Sequence, residues 1–249
     1  MDKPGRGFLA NRPVRASVPV REIVARMSTE VIISYDGTPN DDDALALGRL
    51  LATDTTSLAL AYVRHAPEFD PGREALAQHD AERRLEHGAA LLGDPDVARH
   101  VVFAASTGAG LEELAAAQQA SIIVFASDYR TPPGHAEPPT SAQRLLEIGT
   151  TAIAVAAAGL RADPDAKIGT IAVLPPGGDD AAKQTGDALA AKLGAQIVAA
   201  DPPVADLIVV GSQPGTPAGR VALGGSARTM LDASRGSVLV IPSGKPVQP

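Results

Sequence analysis

The chain has 249 residues, a formal net charge of −7, 45% apolar side chains, only 3% aromatic ones and no cysteine. That composition excludes disulfides, thiolate zinc centres and cysteine nucleophiles, and its acidic balance disfavours nonspecific binding of nucleic acid. No apolar run approaches the roughly 20 residues that span a bilayer, so an integral membrane protein is not expected; a cysteine-free chain suits a reducing, cytoplasmic setting.

The first 26 residues stand apart: Lys3, Arg6, Arg12, Arg15, Arg21 and Arg26 face only Asp2 and Glu22. They lack a continuous apolar stretch and a small-residue cleavage site, which argues against a secretory signal. The expectation for residues 1–27 is a disordered or spurious extension, with Met27 as the initiator, because the first strand begins almost at once.

From residue 30 strands and helices alternate. Val31 to Tyr35 reads as a strand closed by the turn Asp36-Gly37, and Thr38-Pro39-Asn40-Asp41 opens a helix with Thr38 as cap and Pro39 in its first position. Ser57 to Val63 is a second strand. Glu74 to Leu92 follows as a long helix, with Leu76, Leu85, Ala89 and Leu92 near helical spacing. His100 to Phe103, Ala120 to Phe125 and Thr151 to Val155 complete five strands, separated by helices at Leu111 to Gln118 and Ser141 to Glu147. Such spacing requires crossover connections and hence a parallel sheet with helices on both faces.

Residues 159–166, with Asp-Pro-Asp at their centre, read as a linker. The pattern then restarts: strand Ile168 to Leu174, helix Asp179 to Leu193, strands Gln196 to Ala200 and Leu207 to Val210, helix Ser226 to Ser234 and strand Val238 to Ile241. The fold class is therefore α/β, with two tandem doubly wound, Rossmann-like units at 28–158 and 167–242 and a tail at 243–249. The second unit is truncated, with no room for the first unit's long helix and third strand.

Ala205 to Ser212, Gly215, Gly225-Ser226 and the closing Val238-Leu239-Val240-Ile241-Pro242 resemble the C-terminal half of a universal stress protein. Val31 to Leu51, with Asp36-Gly37-Thr38, resembles its N-terminal strand and first helix. The resemblance implies the adenine nucleotide alpha hydrolase-like fold with strand order 3-2-1-4-5, and a ligand crevice at the switch point between strands one and four. It also implies a ribose-gripping acid after strand one, a backbone contact to adenine after strand two, and a phosphate loop Gly-x2-Gly-x9-Gly-Ser/Thr after strand four, where glycine amides and a helix N-terminus meet an anion.

Carried over residue by residue, the resemblance places Asp36 and Val63 in the first unit and Gly211, Ser212, Gly215, Gly225 and Ser226 in the second. The first unit's loop, Ala126 to Ser141, lacks the glycine triad and carries amide-free prolines. The second unit's first strand ends Pro175-Pro176 where the acid belongs. The two parts of a nucleotide site thus fall in different copies. The resemblance implies a non-catalytic stress-response protein for an adenine nucleotide (ATP or AMP) or another anionic ligand such as phosphate. The alternative is a ligand-free interaction or dimerisation protein with degenerate sites, and a slow nucleotide hydrolase without a nameable base is third.

No catalytic constellation appears: there is no P-loop, nucleophile elbow or Gly-x-Gly-x-x-Gly after either first strand. Asp41-Asp42-Asp43 reads as helix capping and not as a metal site. His79 and His87 are expected in solvent. Asp128-Tyr129-Arg130 forms either a remodelled pocket or a hydrogen-bonded brace. Arg220 and Arg228 flank the second glycine loop and could grip an anion. The apolar fifth strand is an edge in search of a partner; Thr151–Val155 is expected to pack against Val238–Ile241 as an internal pseudo-dimer, with a homodimer of two chains left open.

Overall fold

A computed structural model describes residues 29–54, 56–174, 180–199 and 204–248. The expectations for 1–27, Pro175-Pro176, Asp179 and Ala200 lie outside the described residues. Among the described residues nine strands form one sheet: β1 (Thr29–Ser34), β2 (Thr56–Arg64), β3 (Ala98–Phe103), β4 (Ile122–Phe125), β5 (Ala152–Val155), β6 (Thr170–Leu174), β7 (Gln196–Val198), β8 (Val204–Gly211) and β9 (Arg235–Ile241). Among the described residues the helices are α1 (Asp41–Leu51), α2 (Pro71–Leu92), α3 (Thr107–Gln118), α4 (Thr140–Gln143), α5 (Leu145–Ile148), α6 (Ala181–Leu193) and α7 (Gly225–Ala233), with a 3-10 turn at Leu160–Ala162.

The sheet order is β3-β2-β1-β4-β5-β9-β8-β6-β7. All described pairings are parallel except one: β5 meets β9 antiparallel, with Ile153 opposite Val240, Ala154 opposite Leu239 and Val155 opposite Val238. Two apolar edges thus cover each other within one chain, as the edge argument anticipates. The first five strands follow the order 3-2-1-4-5, and β9-β8-β6-β7 repeats it without a third strand.

Strand periodicity divides the core into two layers. Val31, Ile33 and Tyr35 of the first strand and its turn face α1 and α2, and the same layer continues under α6. Ile32 faces the opposite layer, built with Leu111 of α3, Ala142 of α4, Leu145 and Leu146 of α5 and Leu231 of α7. Two glycines set how closely the first helix of each half approaches its sheet. A Cβ on Gly48 would stand 2.4 Å from Ile33 Cδ1, and one on Gly186 would stand 2.5 Å from Val173 Cγ2. The truncation has a consequence on the second layer. Five residues separate β7 from β8, and among the described residues no counterpart of α3 stands beside α7 in the second half.

Several local expectations change. Asn40, not Thr38, precedes the first helix, and Asp41 reaches back instead: its Oδ2 accepts from Asp36 N (3.1 Å), Thr38 N (2.8 Å) and Thr38 Oγ1 (2.8 Å). Asp43 does not merely favour the helix dipole. It is 2% exposed and accepts from Gly159 N, Arg161 N and the Arg161 guanidinium at 2.7 to 2.9 Å, pinning the linker. The second helix starts three residues earlier than expected, at Pro71, because Asp70 Oδ1 caps Arg73 N at 2.9 Å. Leu76 faces solvent, and the buried stripe of that helix is Ala81, Leu85, Gly88, Ala89 and Leu92. The helix expected at 141–147 is two short ones, α4 and α5. His79 and His87 are exposed.

Candidate crevices at the two switch points

The first switch point lies between β1 and β4. Asp36 and Val63 stand at the C-terminal ends of adjacent strands, so the structure brings them to the same end of the sheet. Val63 is buried, and its side chain packs where α3 approaches at Gly110. Asp36 lies at the surface in the turn that Asp41 closes, and Arg84 of α2 donates to its carbonyl at 2.8 Å. Partial desolvation raises the Asp36 carboxyl above its usual range, the charge of Asp41 adds to this, and Arg84 and His65 oppose it. Beside this crevice Arg64, 7% exposed, forms a bidentate pair with Glu74 at 2.7 Å and stacks over Phe103.

The loop after β4 is spent on itself. Ser127 Oγ donates to Ala156 O (2.6 Å) and accepts from Glu137 N (3.0 Å). Asp128 N bonds Glu137 O, Thr131 N bonds Asp128 O, and Gly134 N bonds Ala158 O. Asp128 Oδ1 takes Arg130 N at 3.0 Å, and the Arg130 guanidinium lies over the Tyr129 ring at 4.9 Å. Of the two readings of Asp128-Tyr129-Arg130, the brace is the one these bonds describe.

The second switch point lies between β6 and β8, and its loop repeats the serine and main-chain bonds of the first. Ser212 Oγ donates to Ile241 O (2.8 Å) and accepts from Ala222 N (3.1 Å). Gln213 N bonds Ala222 O, Thr216 N bonds Gln213 O, and Gly219 N bonds Ser243 O. Every partner stands 85 positions after its counterpart, and the same displacement carries Thr140–Ile148 onto Gly225–Ala233. The shared signature is Ser-x3-Thr-Pro-x-Gly, at Ser127 to Gly134 and Ser212 to Gly219. Reading for family glycines alone misses it; comparing the chain with itself at that displacement finds it.

The copies differ where it matters for a ligand. In the first, Pro138 and Pro139 lack amide hydrogens, and α4 is crowded by α3: a Cβ on Gly108 would lie 2.8 Å from Ser141 O. In the second, Gly224 and Gly225 lead into a nine-residue helix, and nothing lies within 4 Å of a Cβ on Gly225. A cavity of about 370 Å³ opens there, floored by Leu174, Val210 and Met230. Gly211, Ser212, Gly225 and Ser226 all line it; Gly215, at φ +82°, instead faces a neighbouring cavity beside Glu147 and Ile148. The Ser212 hydroxyl is committed to the loop. Arg220 donates to Ile148 O (3.0 Å) and Arg228 to Leu223 O (3.3 Å), so both arginines hold main chain.

Among the described residues no group of His, Asp or Glu side chains is placed to hold a metal, and no helix is long and apolar enough to cross a membrane. No family model and no curated protein matches the sequence. Solved structures do. A universal stress protein from Archaeoglobus fulgidus DSM 4304 aligns with a TM-score of 0.61 at 12% identity, over 87% of this chain and 99% of that one. A candidate universal stress protein from Pseudomonas aeruginosa UCBPP-PA14 aligns at 0.55 and 14% identity, over 88% and 94%. A functionally unknown protein from Pseudomonas aeruginosa PAO1 aligns at 0.54 and 13%, over the same shares. With its mostly parallel sheet, alternating helices and 3-2-1-4-5 strand order, this chain has the universal stress protein fold.

Proposed function

We propose that this chain is a universal stress protein-like, ligand-responsive protein that binds an adenine nucleotide, or a ligand of similar size, between β6 and β8 without turning it over. The observation that carries this reading is the convergence of Gly211, Ser212, Gly225 and Ser226 on one cavity at a topological switch point, the place where open α/β sheets take ligands. The described lining offers no acid, base or activated nucleophile, hence binding and not turnover. In this reading residues 28–158 and 167–242 are two units joined by the linker 159–166, and the shortened one keeps the site. The absence of cysteine fits action in the cytoplasm.

A ligand that binds only the native state stabilises it by mass action. ATP or AMP at saturation is therefore expected to raise the melting temperature, and Gly225→Trp, which points a ring into the cavity, to abolish the rise. The self-satisfied loop of the first half favours a second reading, an interaction protein with both sites lost. An unchanged melting temperature with every nucleotide supports that one.

A further inference from the structure

The described lining of the second crevice carries no charge, and we infer that its occupant is held through a neutral, flat, hydrogen-bonding group of nucleoside type, with phosphate groups adding nothing to affinity. This rests on reading the β6–β8 cavity as the ligand site. Among the described residues no Lys, Arg, His, Asp or Glu lines it. The two nearby arginines of the loop and helix are occupied with Ile148 O and Leu223 O. The first described charge after β6 is Asp180, ahead of α6, whose sign opposes a phosphate.

Most amides of the loop are already committed. Within the loop, Gln213 N, Thr216 N, Gly219 N and Arg220 N are all bonded to carbonyls of the chain. The first turn of α7 adds a helix N-terminus, worth roughly half a positive charge against the two or more negative charges of a nucleotide's phosphates. The rest of the cavity suits a heterocycle. Leu174, Val210 and Met230 supply an apolar floor. Gln213 stands at the rim with a side-chain carboxamide, which offers one donor and one acceptor face to a base edge. A volume of about 370 Å³ lies at the small end of ligand cavities, enough for a nucleoside.

The test is calorimetric titration of the full chain with adenosine, AMP, ATP and inorganic phosphate, at low and at high salt. Adenosine is expected to bind within about threefold of AMP and ATP, phosphate to give no heat, and the affinities to change little with salt. Gln213→Ala, at an exposed position that should not disturb folding, is expected to weaken adenosine about tenfold, the loss of one good hydrogen-bonded contact. An affinity that climbs about tenfold or more from adenosine to ATP, or competition by phosphate alone, keeps the cavity as a ligand site but overturns the neutral-group inference. If none of the four compounds binds, the ligand reading of the cavity fails and this inference falls with it.

Discussion

Asp43 shows how one side chain can hold two parts of a fold together. It is the third of three consecutive acids, yet it alone among them turns inward, where it accepts two linker amides and the Arg161 guanidinium. Breaking a buried, hydrogen-bonded ion pair leaves the partner groups uncompensated, so Asp43→Ala is expected to cost about 3 kcal/mol, read from the urea midpoint. Arg161→Ala should cost less, because the arginine is 38% exposed. Glu74 gives a pH signature. The Arg64 guanidinium beside it, with the Glu68 amide, holds its carboxyl below the usual glutamate range. A carboxyl lowered by folding adds stability that is complete above its unfolded-state value and vanishes as the pH falls through its folded-state value. The melting temperatures of the natural chain and Glu74→Gln should therefore differ at neutral pH and converge on acidification below the glutamate range; a gap that persists there contradicts the ion-pair account.

The loops after β4 and β8 are the elements that define the crevices, and each is anchored by one serine. Ser127→Ala or Ser212→Ala removes a hydroxyl that donates to a strand carbonyl and accepts a loop amide. Each is expected to cost about 1–2 kcal/mol for the stranded buried groups, and the double variant their sum, since the sites share no partner. Much of this architecture was legible in the sequence. The alternation of short apolar runs with helices gave the parallel layers, and the bare fifth strand gave the β5–β9 pairing. What escaped was whatever depends on a side chain reaching distant main chain. Asp43 looked like a capping acid because its linker partners lie more than a hundred positions away. Ser127 and Ser212 looked like ordinary loop residues because their carbonyl partners lie 29 positions on. The early starts of α2 and α3 followed from local caps at Asp70 and Ser106, which a search for apolar spacing passes over.

At the scale of the molecule, the antiparallel β5–β9 seam turns two half-sheets into one nine-stranded sheet. The chain is accordingly expected to melt in one transition, with calorimetric and van't Hoff enthalpies in agreement; two resolved transitions contradict a shared sheet. The same whole-chain view explains why the crevices are unequal. The loops after β4 and β8 share their bracing, but among the described residues no helix of the second half stands in the place of α3, and Gly224 stands where the first loop has Pro139; there the cavity opens. The most direct measurement of that asymmetry is the set of amide chemical shifts recorded as AMP or adenosine is added. The account predicts perturbations concentrated at Gln213, Gly225, Ser226 and Ala227. Perturbations clustered instead at Asp36, Gly37 and Val63, with the second loop unmoved, would place the ligand in the first half and contradict it.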